Sequence, residues 1–337
     1  MNTNRQWLLR TRPQGMVGEQ NFDYVESPIP EPADGQVLVR NRFLSFDPTQ
    51  RGWMEDRESY LPPVAIGEPM RAGSVGEVVA SRHPDFVEGD WVQGTGGWQD
   101  FFISDGGGPI GLRKVPSGVP PTMVLSVLGV TGLTAYWGML DLGRPEAGQT
   151  VLVSGAAGAT GSIAGQIARI KGCRVVGIAG GSEKCGWLTD HARFDAAIDY
   201  RGDNVRRAIG ETCPDRVDIF FDNVGGDILE ASLEHIALRA RVVLCGGISG
   251  YNATEPQPGP RNIMNLVTRR ARMEGFIVLD YYDRSAEAVK DLLAWIDSGE
   301  LVYQEDVQQG FDNIPATLTR LFTGQNIGKQ LLEIDGP

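Results

Sequence analysis

Residues 151–161, which read VLVSGAAGATG, constrain the fold more than any other part of the chain. A short apolar run ends in a glycine-rich turn, and a pattern of small residues typical of a helix follows at 162–171. That order predicts a strand, a tight loop and a helix N-terminus, where backbone N–H groups bind an anion, typically a pyrophosphate. Gly155, Gly158 and Gly161 let the backbone approach the phosphates because no Cβ intervenes.

The next apolar run, residues 174–178, follows at the distance that a strand–helix–strand unit requires. This context strengthens the motif, although its G-x-x-G-x-x-G spacing is a variant of the G-x-G-x-x-G pattern. The alternative is a glycine-rich turn that only packs a helix on a strand. We interpret the stretch as a dinucleotide site. The residues predicted to line the phosphates are Gly155, Ala157, Gly158, Ala159, Thr160 and Gly161.

The residues after the second strand indicate which dinucleotide is bound. NAD sites usually place Asp or Glu about twenty residues beyond the glycines, on the ribose 2′-hydroxyl. Here residues 179–184 read AGGSEK, and the strand end carries no carboxylate. Ser182 and Lys184 suit a 2′-phosphate, Lys184 as a point charge, and Tyr200 closes the adenosine pocket. We therefore predict NADP(H); the alternative for Lys184 is a solvated surface lysine.

Composition excludes several classes of partner. The chain has 337 residues, enough for two domains, with 41% apolar and 22% charged residues, as in ordinary globular enzymes. Its net charge of −12 argues against nucleic acid, whose binding needs a basic face. No run approaches the roughly 18 consecutive apolar residues of a membrane span, and residues 1–15 lack the apolar core of a secretory signal. We expect a cytoplasmic protein that binds neither nucleic acid nor membranes.

Potential metal ligands are few and scattered. The cysteines form no C-x-x-C pair and no disulfide framework, which fits a reducing compartment; they are Cys173, Cys185, Cys213 and Cys245. Catalytic zinc needs three convergent protein ligands, and none of the three histidines has a Cys or His partner at a ligand spacing. We predict no metal, so the chemistry must come from the cofactor.

Composition and hydrophobic pattern divide the chain into two domains. Residues 1–122 are strand-rich and punctuated by prolines, which predicts a mostly antiparallel β domain for the substrate. Residues 123–300 are predicted to form an NADP-binding Rossmann domain, a doubly wound parallel sheet of the α/β class. Residues 301–337 are predicted to return to the first domain. The predicted strands of the Rossmann sheet are 151–154, 174–178, 196–199, 217–222, 241–245 and 275–279.

Motifs spread over nearly the full length make the chain resemble a known family. They are FDPTQRGWM at 46–54, PPVAIGEPM at 62–70, GVTGLTAY at 129–136, GAAGATG at 155–161, GSEK at 181–184, FDNVGG at 221–226, CGGISGYN at 245–252 and NIGK at 326–329. In combination they are similar to the zinc-independent medium-chain dehydrogenases/reductases. Within these, the chain resembles the alkenal/enone double-bond reductases, a group that includes leukotriene B4 12-hydroxydehydrogenase/15-oxo-prostaglandin reductases and bacterial curcumin reductases.

The resemblance implies NADPH-dependent reduction of the carbon–carbon double bond of α,β-unsaturated aldehydes or ketones. It also implies a GroES-like fold for the β domain, and a homodimer. Matched position by position, it places Lys184 and Tyr200 at the 2′-phosphate and adenosine. It places Asn223 near a ribose and Asn326 at the nicotinamide side. Cys245, the first residue of the motif at 245–252, is predicted as a further cofactor contact.

Tyr251 lies in a glycine-rich loop that the resemblance places over the active site. Hydride addition to the β-carbon of an enone builds negative charge on the carbonyl oxygen, so catalysis needs a donor aimed at that oxygen. We predict Tyr251 as this donor, with the cofactor ribose 2′-hydroxyl as its rival. Weaker candidates, for which packing with a satisfied hydroxyl is the alternative, are Tyr60, Tyr281 and Tyr282.

The substrate side is assigned to five residues near the motifs at 46–54 and 62–70. They are Arg51, Trp53, Met54, Tyr60 and Met70. Core packing is the alternative for these side chains, above all for Trp53 and Met54. The pair Thr49-Gln50 departs from the Tyr-Met or Ala-Met common in the group, which leaves the substrate range open.

Two other functions stay open at this point. A quinone oxidoreductase shares the fold and the NADPH site, and a semiquinone product would distinguish it. A non-catalytic NADPH-binding protein is the alternative from another class, and cofactor binding without turnover would distinguish it.

Overall fold

The computed structural model describes residues 3–108 and 110–334. The chain forms two units: one holds the residues up to Gly129 and again from Glu305, and the other is Val130–Gln304. Each unit has its own sheet and its own hydrophobic core. Among the described residues, no helix has the length and apolar character that crossing a membrane requires.

Strands in the first unit follow from alternating apolar residues. In β1, for example, Trp7 and Leu9 are buried and Leu8 between them is less so. The strands are β1 Thr3–Leu9, β2 Phe22–Pro28, β3 Val37–Ser45, β4 Ser74–Ser81, β5 Trp91–Gly94, β6 Phe101–Ser104 and β7 Arg113–Lys114. One short helix, α1 (Thr49–Trp53), starts after Pro48, whose restricted φ suits a helix start.

Strands and helices alternate in the second unit. It begins with helix α2 (Val130–Trp137), which a π-helical turn extends through Gly138–Gly143. There follow β8 Thr150–Ser154, α3 Ala159–Ile170, β9 Arg174–Ala179, α4 Ser182–Asp190, β10 Ala196–Asp199, α5 Val205–Thr212, β11 Val217–Asp222, α6 Gly226–His235, β12 Ile236–Leu244, α7 Asn265–Arg269, β13 Arg272–Gly275 and α8 Ser285–Asp297. The chain then adds β14 Glu305–Gln309, α9 Ile314–Thr323 and β15 Lys329–Glu333 to the first unit.

The sheet of the second unit has the strand order β10-β9-β8-β11-β12-β13, and every neighbouring pair is parallel. All five residues of β8 are buried, as expected for a central strand covered by helices on both faces. The strand order reverses between β8 and β11. Ligands of such sheets bind in the crevice beyond the carboxyl ends at this switch point. The predicted doubly wound α/β domain is confirmed.

The sheet of the first unit has the order β14-β15-β3-β4-β5-β7, with β6 also paired to β3. Its pairs are antiparallel except for β14 and β15. In the pair of β15 and β3, Leu332 lies opposite Leu44, and both are fully buried in the core. The predicted mostly antiparallel β domain is confirmed.

One predicted strand is wrong and another begins earlier. The strand predicted at 275–279 is absent from the described structure: β13 ends at Gly275, and Val278–Arg284 forms a 3₁₀ helix. In this apolar run Phe276 packs against Gly138, where an added Cβ would lie 2.5 Å from the Phe276 ring. Periodicity cannot separate such a packed run from a strand. The strand predicted at 241–245 is β12, which already begins at Ile236.

Candidate active site

The glycine-rich loop closes tightly between β8 and α3. Gly155 has a φ of +57°, a left-handed conformation that glycine adopts readily. A Cβ at Gly161 would lie 2.4 Å from the Gly155 carbonyl oxygen, so only glycine fits there. Gly158, the residue before α3, has no side chain to cap the first N–H groups of the helix. These donors and the positive end of the helix dipole fit a pyrophosphate.

The remaining loop residues carry small side chains. Ala157 is buried, while Ala159 and Thr160 begin α3 and are partly buried. Because none of these side chains extends far over the loop, a phosphate can approach the backbone closely. The residues present therefore fit a dinucleotide.

A second turn follows the carboxyl end of β9. Gly181, with a φ of +93°, leads into α4, which starts at Ser182 and carries Lys184 in its first turn. The ring of Tyr200 packs on Gly180, where an added Cβ would lie 2.8 Å from ring atoms. The structure therefore places Ser182, Lys184 and Tyr200 at one short turn.

Asp199, at the end of β10, shapes that turn although no motif in the sequence singles it out. Its Oδ1 accepts the backbone N–H of Gly181 at 2.7 Å and that of Arg201 at 3.0 Å. These two hydrogen bonds, the Gly181 bond first, lower the pKa of Asp199. The carboxylate is thus engaged by the backbone and orients the entry to α4. In the sequence, Asp199 is marked only by its position directly before Tyr200.

Across the switch point, Asn223 follows the end of β11. Its Nδ2 donates to the Ser154 carbonyl oxygen at 2.7 Å, so the ends of β8 and β11 are tied together. Asp222 is fully buried, and burial raises its pKa, against hydrogen bonds from Ser154 and the backbone. The N–H of Cys245 donates to the Asp222 carbonyl oxygen at 2.9 Å, which adds the end of β12 to the group. Cys245 and Asn223 are thereby placed at one edge of the sheet.

Tyr251 follows a 3₁₀ turn, Ile248–Gly250, and is partly buried. Its phenol oxygen accepts the N–H of Gly247 at 3.2 Å and lies against Gly246. The ring therefore folds back over its own glycine-rich loop. Of the other tyrosines in this unit, Tyr281 is engaged in packing: it donates to Asp141 at 2.8 Å.

In the first unit, an aromatic and hydroxyl cluster lies on and after α1. The hydroxyl of Tyr60 shares a hydrogen bond with that of Thr49 and accepts the indole N–H of Trp53 at 3.2 Å. The guanidinium of Arg71 lies over the Trp53 ring, 5.4 Å from its centre. Tyr60 is 43% exposed, so this cluster faces the surface of its unit.

The other three residues predicted for the substrate side lie in the interior of the first unit. Met54 and Met70 are fully buried in one hydrophobic cluster. Arg51 is buried as well, and its Nη2 donates to the carbonyl oxygens of Pro13 and Gly15 at 3.1 and 3.3 Å. The structure thus brings Trp53 and Tyr60 together and places these three behind them.

Asn326 lies in the turn between α9 and β15. Its Nδ2 donates to the Gly328 carbonyl oxygen at 3.0 Å, which holds the turn closed. Three residues later, Lys329 is buried and donates to Asp47 at 2.5 Å and to the Phe46 carbonyl oxygen at 3.1 Å. This ion pair anchors the turn to the segment before α1.

Metal independence stays a prediction. Within the described part of the chain, no three His, Cys, Asp or Glu side chains converge to hold a metal ion. Burial raises the pKa of the Cys245 thiol to about 12, so this side chain is a neutral thiol at physiological pH. We expect activity to survive prolonged chelation and elemental analysis to find no stoichiometric zinc. One zinc per chain, with activity lost on its removal, would contradict this.

Known proteins match this chain over nearly its whole length. Residues 5–112 match the family described as the N-terminal domain of oxidoreductase, and residues 159–298 match the family described as zinc-binding dehydrogenase. The chain is 42% identical to the NADPH-dependent curcumin reductase of Escherichia coli (strain K12), over 99% of this chain and 97% of that protein. It is 36% identical to the 2-alkenal reductase (NADP(+)-dependent) of Nicotiana tabacum, over 98% of each.

A solved structure, CurA from Vibrio vulnificus in complex with NADPH, is similar with a TM-score of 0.94. It is 41% identical and covers 99% of this chain and 100% of that one. The similarity therefore extends over both units. The protein belongs to the medium-chain dehydrogenase/reductase superfamily, in its alkenal reductase group.

Proposed function

We propose that the protein uses NADPH to reduce the carbon–carbon double bond of α,β-unsaturated aldehydes and ketones. The observation that carries the cofactor assignment is the turn after β9, where Ser182 and Lys184 replace the acid of NAD sites. The relatives named as a curcumin reductase and a 2-alkenal reductase, both NADP-dependent by name, support the reaction.

The cofactor is assigned to the carboxyl edge of the parallel sheet, across the switch point between β8 and β11. The α3 N-terminus would hold the pyrophosphate and the first turn of α4 the 2′-phosphate. The proposed contacts in this unit are Gly155, Ala157, Gly158, Ala159, Thr160, Gly161, Ser182, Lys184, Tyr200, Asn223 and Cys245. Asn326, in the unit that contains β15, is a further proposed cofactor residue.

Bound NADPH supplies the hydride for the β-carbon of the substrate. The protein must then stabilise the negative charge that develops on the carbonyl oxygen, and a preorganised donor does this best. We assign that task to Tyr251, because the N–H of Gly247 already fixes the position of its phenol oxygen. A phenol suffices, since the developing charge needs a hydrogen bond rather than a strong acid.

Trp53 and Tyr60 are the proposed substrate contacts with exposed surface. An indole face and a phenol hydroxyl together offer an apolar surface with a polar edge, which suits a conjugated carbonyl compound. Arg51, Met54 and Met70 would act on the substrate through the packing that supports α1. Residues 1–122 are accordingly proposed as the substrate domain and 123–300 as the cofactor domain, with 301–337 joining the former.

A cytoplasmic homodimer is proposed as the working form. At one edge of the parallel sheet, β13 is paired on one side only. Two nearby apolar side chains, Met264 and Val267, are 64% and 65% exposed. An unpaired strand edge beside exposed apolar groups favours pairing with a second copy. Light scattering should give twice the mass of the chain, and a monomer at micromolar concentration would contradict the dimer. Cell fractionation should recover the protein in the cytosol.

The reaction is tested by following NADPH consumption with alkenals, aryl enones, 15-oxo-prostaglandins and quinones, and by identifying each product. Saturated aldehydes and ketones are the expected products. Turnover of quinones to semiquinone radicals, without enone reduction, would assign the protein to the quinone oxidoreductases. Tight NADPH binding without turnover on the whole panel would make it a binding protein.

A further inference from the structure

Beneath the candidate cofactor site, a buried polar network joins β8 to β11. The hydroxyl of Ser154 accepts the backbone N–H of Asn223 at 2.9 Å and donates to Asp222 Oδ1 at 2.6 Å. The same carboxylate oxygen accepts the N–H groups of Val224 and Gly225, at 3.0 and 3.1 Å. Ser154 and Asp222 are fully buried. Removing one member therefore leaves buried polar groups without partners, which is costly.

The main-chain carbonyl oxygen of Ser154 determines which end of the Asn223 amide faces outward. Its Nδ2 donates to the Ser154 carbonyl oxygen at 2.7 Å. A carbonyl oxygen only accepts hydrogen bonds, so the amide nitrogen must point towards it and Oδ1 must point away. Among the described residues, none donates a hydrogen bond to Asn223 Oδ1. Asn223 therefore presents a fixed acceptor, which suits a hydroxyl group.

Strand order identifies the part of the cofactor that this acceptor would meet. The turn with Lys184 and the ring of Tyr200 lie at the ends of β9 and β10, on one side of β8. Asn223 lies at the end of β11, on the other side. A dinucleotide that spans the switch point puts its adenosine half on the first side and its nicotinamide half on the second.

We propose that Ser154 is a positioning residue for NADPH. Its hydroxyl, held by Asp222, fixes the backbone N–H of Asn223, and its main-chain carbonyl oxygen accepts Nδ2. Together these bonds place Asn223 Oδ1 to accept a hydrogen bond from a hydroxyl of the nicotinamide ribose. This inference rests on the proposed cofactor contact of Asn223. It predicts that Ser154 matters for the nicotinamide half of the cofactor and not for the adenosine half.

Calorimetric titration of NADPH and of adenosine 2′,5′-bisphosphate separates the two halves. One hydrogen bond is worth about 0.5–1.5 kcal/mol, so Ser154→Ala and Asn223→Ala should each weaken NADPH about two- to tenfold. The bisphosphate, which lacks the nicotinamide ribose, should bind all variants alike. Because Ser154 acts through Asn223, the double variant should lose no more affinity than the weaker-binding single variant.

Ser232→Ala is the matched control, because Ser232 is also fully buried in this unit and donates to the Ile228 carbonyl oxygen at 2.7 Å. It should leave both affinities unchanged. If Ser154→Ala unfolds, Ser154→Cys keeps the volume with a weaker donor and should show the same loss for NADPH. Equal losses for NADPH and the bisphosphate, or losses that multiply in the double variant, would overturn the inference. Unchanged NADPH affinity in Asn223→Ala would refute the proposed contact itself.

Discussion

Replacing Tyr251 by phenylalanine is expected to lower kcat by about 10²–10³-fold, the typical cost of removing one oxyanion donor. The substitution removes only the hydroxyl group of Tyr251, whose position is fixed by contacts with Gly246 and Gly247. NADPH affinity should change little, because charge appears on the substrate oxygen only as the new C–H bond forms. Steady-state kinetics with several enones, together with an NADPH titration, measure both quantities.

Tyr281→Phe is a suitable control for this variant. The phenol of Tyr281 donates to Asp141, and its ring stacks on Trp137 with centroids 5.1 Å apart. Burial raises the pKa of Tyr281 to about 12, so the hydroxyl stays protonated. Its removal should reduce stability by about 1 kcal/mol without lowering kcat. Unchanged kcat for Tyr251→Phe across several enones would exclude the proposed donor, and a loss within about tenfold would show that a ribose hydroxyl shares the work.

Lys184→Ala should weaken NADPH binding by about ten- to a hundredfold, since a charge-assisted hydrogen bond contributes roughly 1.5–3 kcal/mol. NADH lacks the 2′-phosphate, so its affinity should stay nearly constant. Dissociation constants from fluorescence titration of both cofactors test this directly.

The control for Lys184 is Lys290→Ala, on the exposed surface of α8 in the same unit. It removes the same charge from the unit without touching the turn after β9, and it should leave both cofactors unaffected. Equal losses of NADPH and NADH affinity in Lys184→Ala would show that this lysine is not a phosphate ligand.

Local features of the cofactor site could be predicted because they lie close together in the sequence. The strand β8, the turn from Gly155 to Gly161 and helix α3 form one continuous segment, and their order alone indicates an anion site. The absence of a carboxylate at the end of β9 is equally local. The spacing of small residues and the residues of the two turns therefore suffice to predict the phosphate-binding part of the cofactor site.

Features that depend on distant contacts could not be predicted. Ser154 and Asp222 are 68 residues apart, and only the parallel pairing of β8 and β11 brings them together. Met54 and Met70 look alike in the sequence whether they face a substrate or fill a core, and the structure buries both. The strand predicted after Gly275 was wrong for a similar reason, because the tertiary contact between Phe276 and Gly138 is not visible in the sequence.

The most direct test of the proposed reaction is the position of deuterium after reduction of an enone with NADPH that carries deuterium at nicotinamide C4. We expect NMR to find the label on the β-carbon of a saturated product, with the carbonyl group intact and a solvent proton on the α-carbon. An allylic alcohol labelled at the former carbonyl carbon would contradict double-bond reduction.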